Sequence, residues 1–276
     1  MTERKSFESN AIAPDGWTVL ARLGGGASFV TWCVRDRRGR EAVLRRASGA
    51  TDAEAALARH DEVLRTLGVV SGIPRRIGGG QDAAGAYLLE SVAPGRSLRR
   101  LVTQSGRGLP AAVALGIAAR AFAELAALHG LSDARGPLRF VHADLCPDHL
   151  FVAPTPEEGV TFIDFGWASV RGLGYIGAPP RGTLPFVAPE RARGEGAPEP
   201  AADVYALAAT MLYALHGASP VSSGPAALVQ CAERGLDPAV PPGTPAGFGR
   251  ALRAGLAFRA SERASASEMA ELLGHA

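Results

Sequence analysis

The stretch whose reading decides the fold is VHADLCPDHLFVAP, Val141–Pro154. Asp144 stands two residues after His142, and Pro147 prevents a helix from running through the segment. Leu150–Val152 is a short apolar run of the kind that forms a buried strand. Carboxylate and imidazole are the side chains that proton-transfer chemistry uses. They also serve as ordinary loop hydrogen-bonding groups, so the sequence on either side has to decide what this loop is.

Downstream, VTFID (160–164) reads as a second short strand and runs into IDFG (163–166). Residues 167–200 are rich in Gly and Pro and read as loop, carrying GTLPFVAPE at 182–190. AADVYALAATMLYALHG (201–217) is an apolar helix expected to be buried on most faces. GFGRALRAGLAF and SASEMAELLGHA close the chain as helices. Upstream, Ala111–His129 is a long helix, broken as an apolar run by Arg120 and Glu124. Before it the chain is strand-rich. WTVLARL and FVTWCVRD alternate around the run Gly24–Gly26, GREAVLRRA follows a turn, and AYLLESV is a buried strand. One helix interrupts them, with Leu57, Val63, Leu64 and Leu67 at helical spacing. The expected organisation is a tail at 1–14, a strand-rich part at 15–93 and a helical part at 94–276, with the join near Pro94.

The bulk properties exclude several functions. The chain has 276 residues, 47% hydrophobic and 20% charged, which suits an ordinary globular protein. A net charge of +2 with no basic stripe argues against nucleic acid. Cys33, Cys146 and Cys231 are odd in number and widely spaced, so they suggest a reducing compartment and no metal-ligand spacing. The polar start MTERKSFESN lacks a secretion signal, and no apolar run reaches a membrane span. The expectation is a free-standing cytoplasmic protein. Lys5 is the only lysine and every other basic residue is arginine, in keeping with the Ala, Gly and Pro load of a GC-rich bacterial-type composition.

Taken singly, each motif is weak, and LGGGASFV (23–30) alone is a plain hairpin turn. Their order is specific. A Gly-rich hairpin, an AVLR strand (42–45), a helix, HADLCPDHL, IDFG, GTLPFVAPE and DVYALAATMLYAL follow one another over roughly residues 15–273. This series resembles the protein kinase family. The resemblance implies an α+β, two-lobed fold: a small β-rich N-lobe with one helix and a larger α-helical C-lobe. Phosphoryl transfer in that family is positioning plus charge neutralisation by metal ions, a strand lysine and an aspartate. Asp144 matches the catalytic aspartate, and Asp164 the aspartate that ligates magnesium. Gly24, Gly25, Gly26, Val43, Arg45, Glu90, Val92 and Phe151 match nucleotide-contacting positions. Ala188–Glu190 ends the activation segment and Arg263 is the expected partner of Glu190. Asp203 resembles the aspartate that anchors the catalytic loop. Leu64, His142 and Phe165 resemble the apolar column of the family.

Departures from the pattern are equally specific. The strand lysine is Arg45, a planar fork in place of a compact charge. Its helix partner falls at His60, with Asp61 or Glu62 as alternatives if the register slips. Phe29 replaces the third loop glycine, Cys146 the loop lysine and His149 the metal-binding asparagine. Ala143 removes the arginine that would read a phosphorylated activation segment. Val43 and Phe151 replace a smaller roof and floor residue of the adenine pocket. His149 can be drift, a structural hydrogen-bonding group, or a ligand that with Asp164 would favour manganese or zinc over magnesium. Cys146 reads as a small neutral filler.

The first expectation is therefore a pseudokinase, a kinase-like domain with a degraded nucleotide site that binds a protein or a ligand. The second is an atypical ATP-dependent Ser/Thr kinase using Arg45, Asp144 and Asp164. The third is a small-molecule phosphotransferase of the aminoglycoside or choline type, against which GTLPFVAPE and the following helix stand. ATP with Mg or Mn is the expected cofactor if the site is active, and no cofactor if it is not.

Overall fold

A computed structural model describes residues 12–26, 28–155, 159–174, 182–219, 221 and 225–276. Most of the N-terminal tail and residues 175–181 of the Gly-rich loop lie outside the described residues. The chain divides into two compact units, Met1–Val70 with Pro74–Ala93, and Ser71–Ile73 with Pro94–Ala276.

The first unit is one antiparallel sheet and one helix. Strands β1 (Trp17–Gly25), β2 (Phe29–Asp36), β3 (Glu41–Ala47), β4 (Arg76–Asp82) and β5 (Gly85–Glu90) lie in the order β1-β2-β3-β5-β4. Alternation along β2, β3 and β5 sends Trp32, Val34, Ala42, Leu44 and Leu89 to one face as a buried cluster, covered by Ile12, Trp17 and Tyr87. Helix α1 (Ala53–Leu67) contacts β3, β5 and β4 and buries Leu57, Val63, Leu64 and Leu67 at helical spacing. β4, sequence RIGGGQD, was not expected from its composition. Three glycines give it little strand propensity of its own, and its pairing with β5 supplies the order.

The second unit is mainly helical: α2 (Leu98–Ser105), α3 (Ala111–His129), α4 (Pro189–Ala192), α5 (Pro200–His216), α6 (Pro225–Glu233), α7 (Ala246–Gly255) and α8 (Ala266–Gly274). Three short strands, β6 (Arg96–Ser97), β9 (Leu150–Val152) and β10 (Val160–Phe162), form a small sheet in the order β10-β9-β6. β7 (Ser132–Asp133) and β8 (Gly136–Pro137) form a hairpin. Helices α4 and α6 fall in stretches that the sequence reading leaves without structure.

Helix α5 is the centre of this unit. Fourteen of its seventeen residues are buried, so it has no solvent face, as its all-round apolar sequence requires. Pro200 starts it, and Gly217 ends it in the left-handed conformation. Its end packs backbone to backbone. Leu109 N–H donates to Ala214 O at 2.7 Å, and a Cβ on Gly108 would stand 1.8 Å from Leu215 O. Helix α3 is long and apolar enough, by length and composition, to cross a membrane. In this fold it contacts α5 and α8 and buries seven residues, among them Ile117, Phe122 and Leu125.

Arg263 ties the segment before α8 to α4. Its two terminal nitrogens reach both Glu190 oxygens at 2.6 Å, and it also donates to the carbonyls of Ala257, Phe258 and Ala201. Its guanidinium lies 4.9 Å from the Tyr205 ring. Removing one partner of so buried a pair leaves the other charge unanswered. Arg263→Met is therefore expected to cost about 3–5 kcal/mol and to lower Tm by roughly 10 °C, read by calorimetry. A fall of under ~2 °C would show that the pair is not structural.

Candidate functional site

The residues singled out in the sequence fall into a cluster in each unit. In the first, Val43 pairs with Glu90 and Arg45 with Leu88 across the antiparallel β3–β5 ladder. Arg45 and Glu90 are therefore diagonal neighbours on one face, the face that α1 covers. Arg45 Nε donates to Glu90 Oε1 at 2.7 Å, and His60 Nε2 on α1 meets Glu90 Oε2 at 2.8 Å. The Phe29 ring stands edge-on to His60 at 5.7 Å and 5.4 Å from the Arg45 guanidinium carbon. Arg45 is 5% exposed, His60 0% and Glu90 1%. Burial alone would push the Glu90 carboxyl up, but the Arg45 charge and His60 outweigh it and hold it below its usual value.

The three helix residues proposed as partners of Arg45 lie in different surroundings. His60 faces the Arg45–Glu90 pair, whereas Asp61 is engaged with Arg76 and Arg65 and Glu62 is exposed. Glu90 enters the cluster as a buried counter-ion, a role the sequence reading did not give it. The available signal was an acid closing the apolar strand GAYLLE, since a carboxylate in such a place needs a cation.

The glycines Gly24 and Gly25 end β1, and Gly26 N–H donates to Phe29 O at 2.8 Å to close the turn. None of the three has a left-handed φ. Only at Gly25 would a Cβ be crowded, by the Arg22 guanidinium at 2.9 Å. Val43 is half-buried and Val92 is 45% exposed.

In the second unit the loop 141–150 is hung on Asp203. Asp203 Oδ2 accepts from His142 N–H at 2.7 Å, Oδ1 accepts from Ala143 N–H at 2.9 Å, and His129 Nε2 lies 3.1 Å from Oδ2. His142 Nε2 donates to Ile163 O and its Nδ1 accepts from Asp144 N–H. That arrangement needs a neutral ring, and burial lowers the His142 pKa to about 4. The His142 and Phe165 rings lie 5.1 Å apart. Leu64 is buried in the first unit.

Asp144 points its Oδ1 at Thr183, accepting from both the backbone N–H and the hydroxyl at 2.8 Å. His149 Nδ1 donates to the Asp144 carbonyl at 2.7 Å and lies 3.5 Å from Asp144 Oδ2. Its other nitrogen is 3.7 Å from Asp164 Oδ2. One imidazole thus stands between the two carboxylates. Burial opposes its charge, yet the Cys146 sulfur, Asp144 and Asp164 outweigh burial and hold the His149 pKa well above its usual value. Burial lifts the Asp144 carboxyl above the usual range, which His149 partly offsets and Asp164 reinforces. Ala143 and Asp164 have φ of 65° and 71°, sparsely populated backbone of the kind that clusters at functional sites. Phe151 is half-buried on β9, opposite Thr161 and Ser97. Thr183 belongs to the GTLPFVAPE motif, whose sequence alone gives this residue no part in the site.

Magnesium asks for several oxygen ligands in near-octahedral array. The donors here are the Asp164 carboxylate and an imidazole whose pKa is raised. Among the described residues no group of three or more His, Cys, Asp or Glu side chains could hold a metal ion. In phosphoryl-transfer sites magnesium is held by one or two carboxylates, with substrate phosphates and water completing the shell; Asp164 is the carboxylate that could serve here, with His149 3.7 Å from it.

The two histidines should respond to pH with opposite sign. His142 has a depressed pKa, so its contribution is complete above about 6.5 and is lost as pH falls toward about 4. The loss should run at up to about 1.4 kcal/mol per pH unit, read by denaturant melts. His149 has a raised pKa, so its contribution is complete below about 6.5 and is lost as pH rises through the raised value. In the folded protein, nitrogen NMR should find His142 neutral at pH 5 with its proton on Nε2. A charged His142 there would contradict the arrangement.

The comparisons with known proteins agree with the motif order. The protein kinase domain family matches residues 17–239. Among curated proteins, the serine/threonine-protein kinase AfsK of Streptomyces griseus is 29% identical over 225 residues, covering 74% of this chain and 25% of the relative. AfsK of Streptomyces coelicolor is 29% identical over 225 residues, covering 74% and 26%. The chain thus spans about a quarter of the length of these relatives. With its family match running over most of its length, the chain belongs to the protein kinase family.

Proposed function

We propose that this kinase-family domain is a pseudokinase, acting through binding of a protein or a ligand in the cytoplasm. The observation that carries the reading is the Arg45–Glu90–His60 cluster. The cation at the position of the strand lysine is held by a buried carboxylate at 2.7 Å, and Glu90 belongs to the sheet rather than to the helix. Phe29 covers the guanidinium at the place of the third loop glycine. The changes at Cys146 and His149 point the same way, because both fall where phosphate or its metal would be met.

A second reading, an atypical Ser/Thr kinase, is favoured by one arrangement. Asp144 is oriented by Thr183, and Asp164 keeps its left-handed backbone close to it. If that reading holds, Asp144 orients a substrate hydroxyl and accepts its proton, and family membership implies ATP with a magnesium-type ion. The similarity to the AfsK proteins supports protein, not a metabolite, as what this chain engages.

Thermal melts with millimolar ATP, in magnesium and separately in manganese, test the choice. A nucleotide at 100 times its Kd would stabilise the fold by about 2.7 kcal/mol, several degrees in Tm. The pseudokinase reading expects a shift below ~1 °C in either metal and no label transfer from ATP. A metal-dependent shift together with label transfer abolished by Asp144→Asn would replace it with the kinase reading.

A further inference from the structure

We propose that Glu90 is an internal anion that occupies Arg45 and keeps external phosphate off it, an autoinhibitory contact built into the β3–β5 pair. The inference deepens the pseudokinase reading and rests on it. A guanidinium recognises carboxylate and phosphate with the same planar donors. Here the carboxylate comes from the same sheet, with Glu90 Oε1 2.7 Å from Arg45 Nε and Oε2 2.8 Å from His60 Nε2. A phosphate that took Arg45 away would leave this carboxylate, 1% exposed, short of its cation and shielded from solvent. Such an uncompensated buried charge is strongly disfavoured. A carboxylate fixed in contact also competes at an effective concentration far above that of a millimolar ligand.

Phe29 adds shape to charge. It is 3% exposed, packs on His60 and stands over the guanidinium, where glycine would leave the backbone bare. Charge and bulk therefore close the same cation from two elements, β5 and the start of β2.

The pair could instead be only a structural ion pair, and the two possibilities separate on a gain of function. Binding of pyrophosphate, ADP and adenosine would be measured by calorimetry, with and without magnesium. The proteins are the wild type, Glu90→Gln, Glu90→Gln with Phe29→Gly, and Glu90→Gln with Arg45→Met. The glutamine keeps the size of the side chain and an acceptor for Arg45 Nε, gives up the charge, and puts an amide NH2 in place of the second carboxylate oxygen, which faces His60. Glu90→Gln should bind pyrophosphate and ADP at least about tenfold tighter than the wild type. Removing Phe29 should increase the gain, and Arg45→Met should abolish it. Gain for ADP alone marks a nucleotide site, gain for both marks a general polyphosphate site, and gain for adenosine alone overturns the proposal.

A folded Glu90→Gln protein that binds no tighter than the wild type, with or without Phe29→Gly, also overturns it, as does a gain that survives Arg45→Met. If Glu90→Gln does not fold, Glu90→Asp withdraws the charge by one methylene and should show a smaller gain; no gain there rejects the proposal. A wild type that already binds and transfers phosphate, and loses both on Glu90→Gln, rejects this proposal and the pseudokinase reading together. An inert wild type with an equally inert, folded variant rejects this proposal alone.

Discussion

A carboxylate withdrawn from water has to find donors, and Asp203 finds three. Two are consecutive backbone N–H groups, of His142 and Ala143, and the third is His129. Asp203 lies in the first turn of α5, where the helix dipole also favours negative charge. The loop that carries Asp144 and His149 is thereby bolted to the most deeply buried helix of its unit. Its shape follows from these hydrogen bonds to the protein interior. The left-handed Ala143 is tolerable for the same reason, because hydrogen bonds on a rigid helix hold its N–H in place.

The remaining charges of the candidate site follow a second rule: they answer one another. Arg45 answers Glu90 in the first unit, with His60 hydrogen-bonded to the other carboxylate oxygen, and His149 stands between Asp144 and Asp164 in the second. The parts of the family pattern that build the fold, Asp203 and Glu190 with Arg263, make complete sets of contacts.

How much of this the sequence disclosed depended on whether order or register was needed. The fold followed from the sequence of motifs, because AVLR, HADLCPDHL, IDFG and GTLPFVAPE in that series leave few alternatives. Helix α5 was plain from its apolar run. β4 was hidden because RIGGGQD has no strand character apart from its neighbour, and α6 because Pro and Gly surround it. At the site, the gathering of Asp144, His149 and Asp164 was readable from two short motifs. The Glu90 contact was not, because a diagonal cross-strand pair depends on register. The choice among His60, Asp61 and Glu62 stayed open for a related reason: one residue along a helix turns the side chain by about 100°, a difference that an ungapped motif comparison does not resolve.

The backbone crossing at the end of α5 has a consequence for how this chain can change. Gly108 and Gly217 approach so closely that a Cβ on Gly217 would stand 2.3 Å from Gly108 N, and one on Gly108 1.8 Å from Leu215 O. Neither position has room for any side chain while the other stays put, so the two behave as one residue with respect to mutation. An insertion beside either would have to lift the α2–α3 connection off the helix end and give up the Leu109–Ala214 hydrogen bond. Recombination within this unit therefore has to leave a glycine at both places, one in the α2–α3 connection and one at the end of α5, although more than half the unit's sequence lies between them.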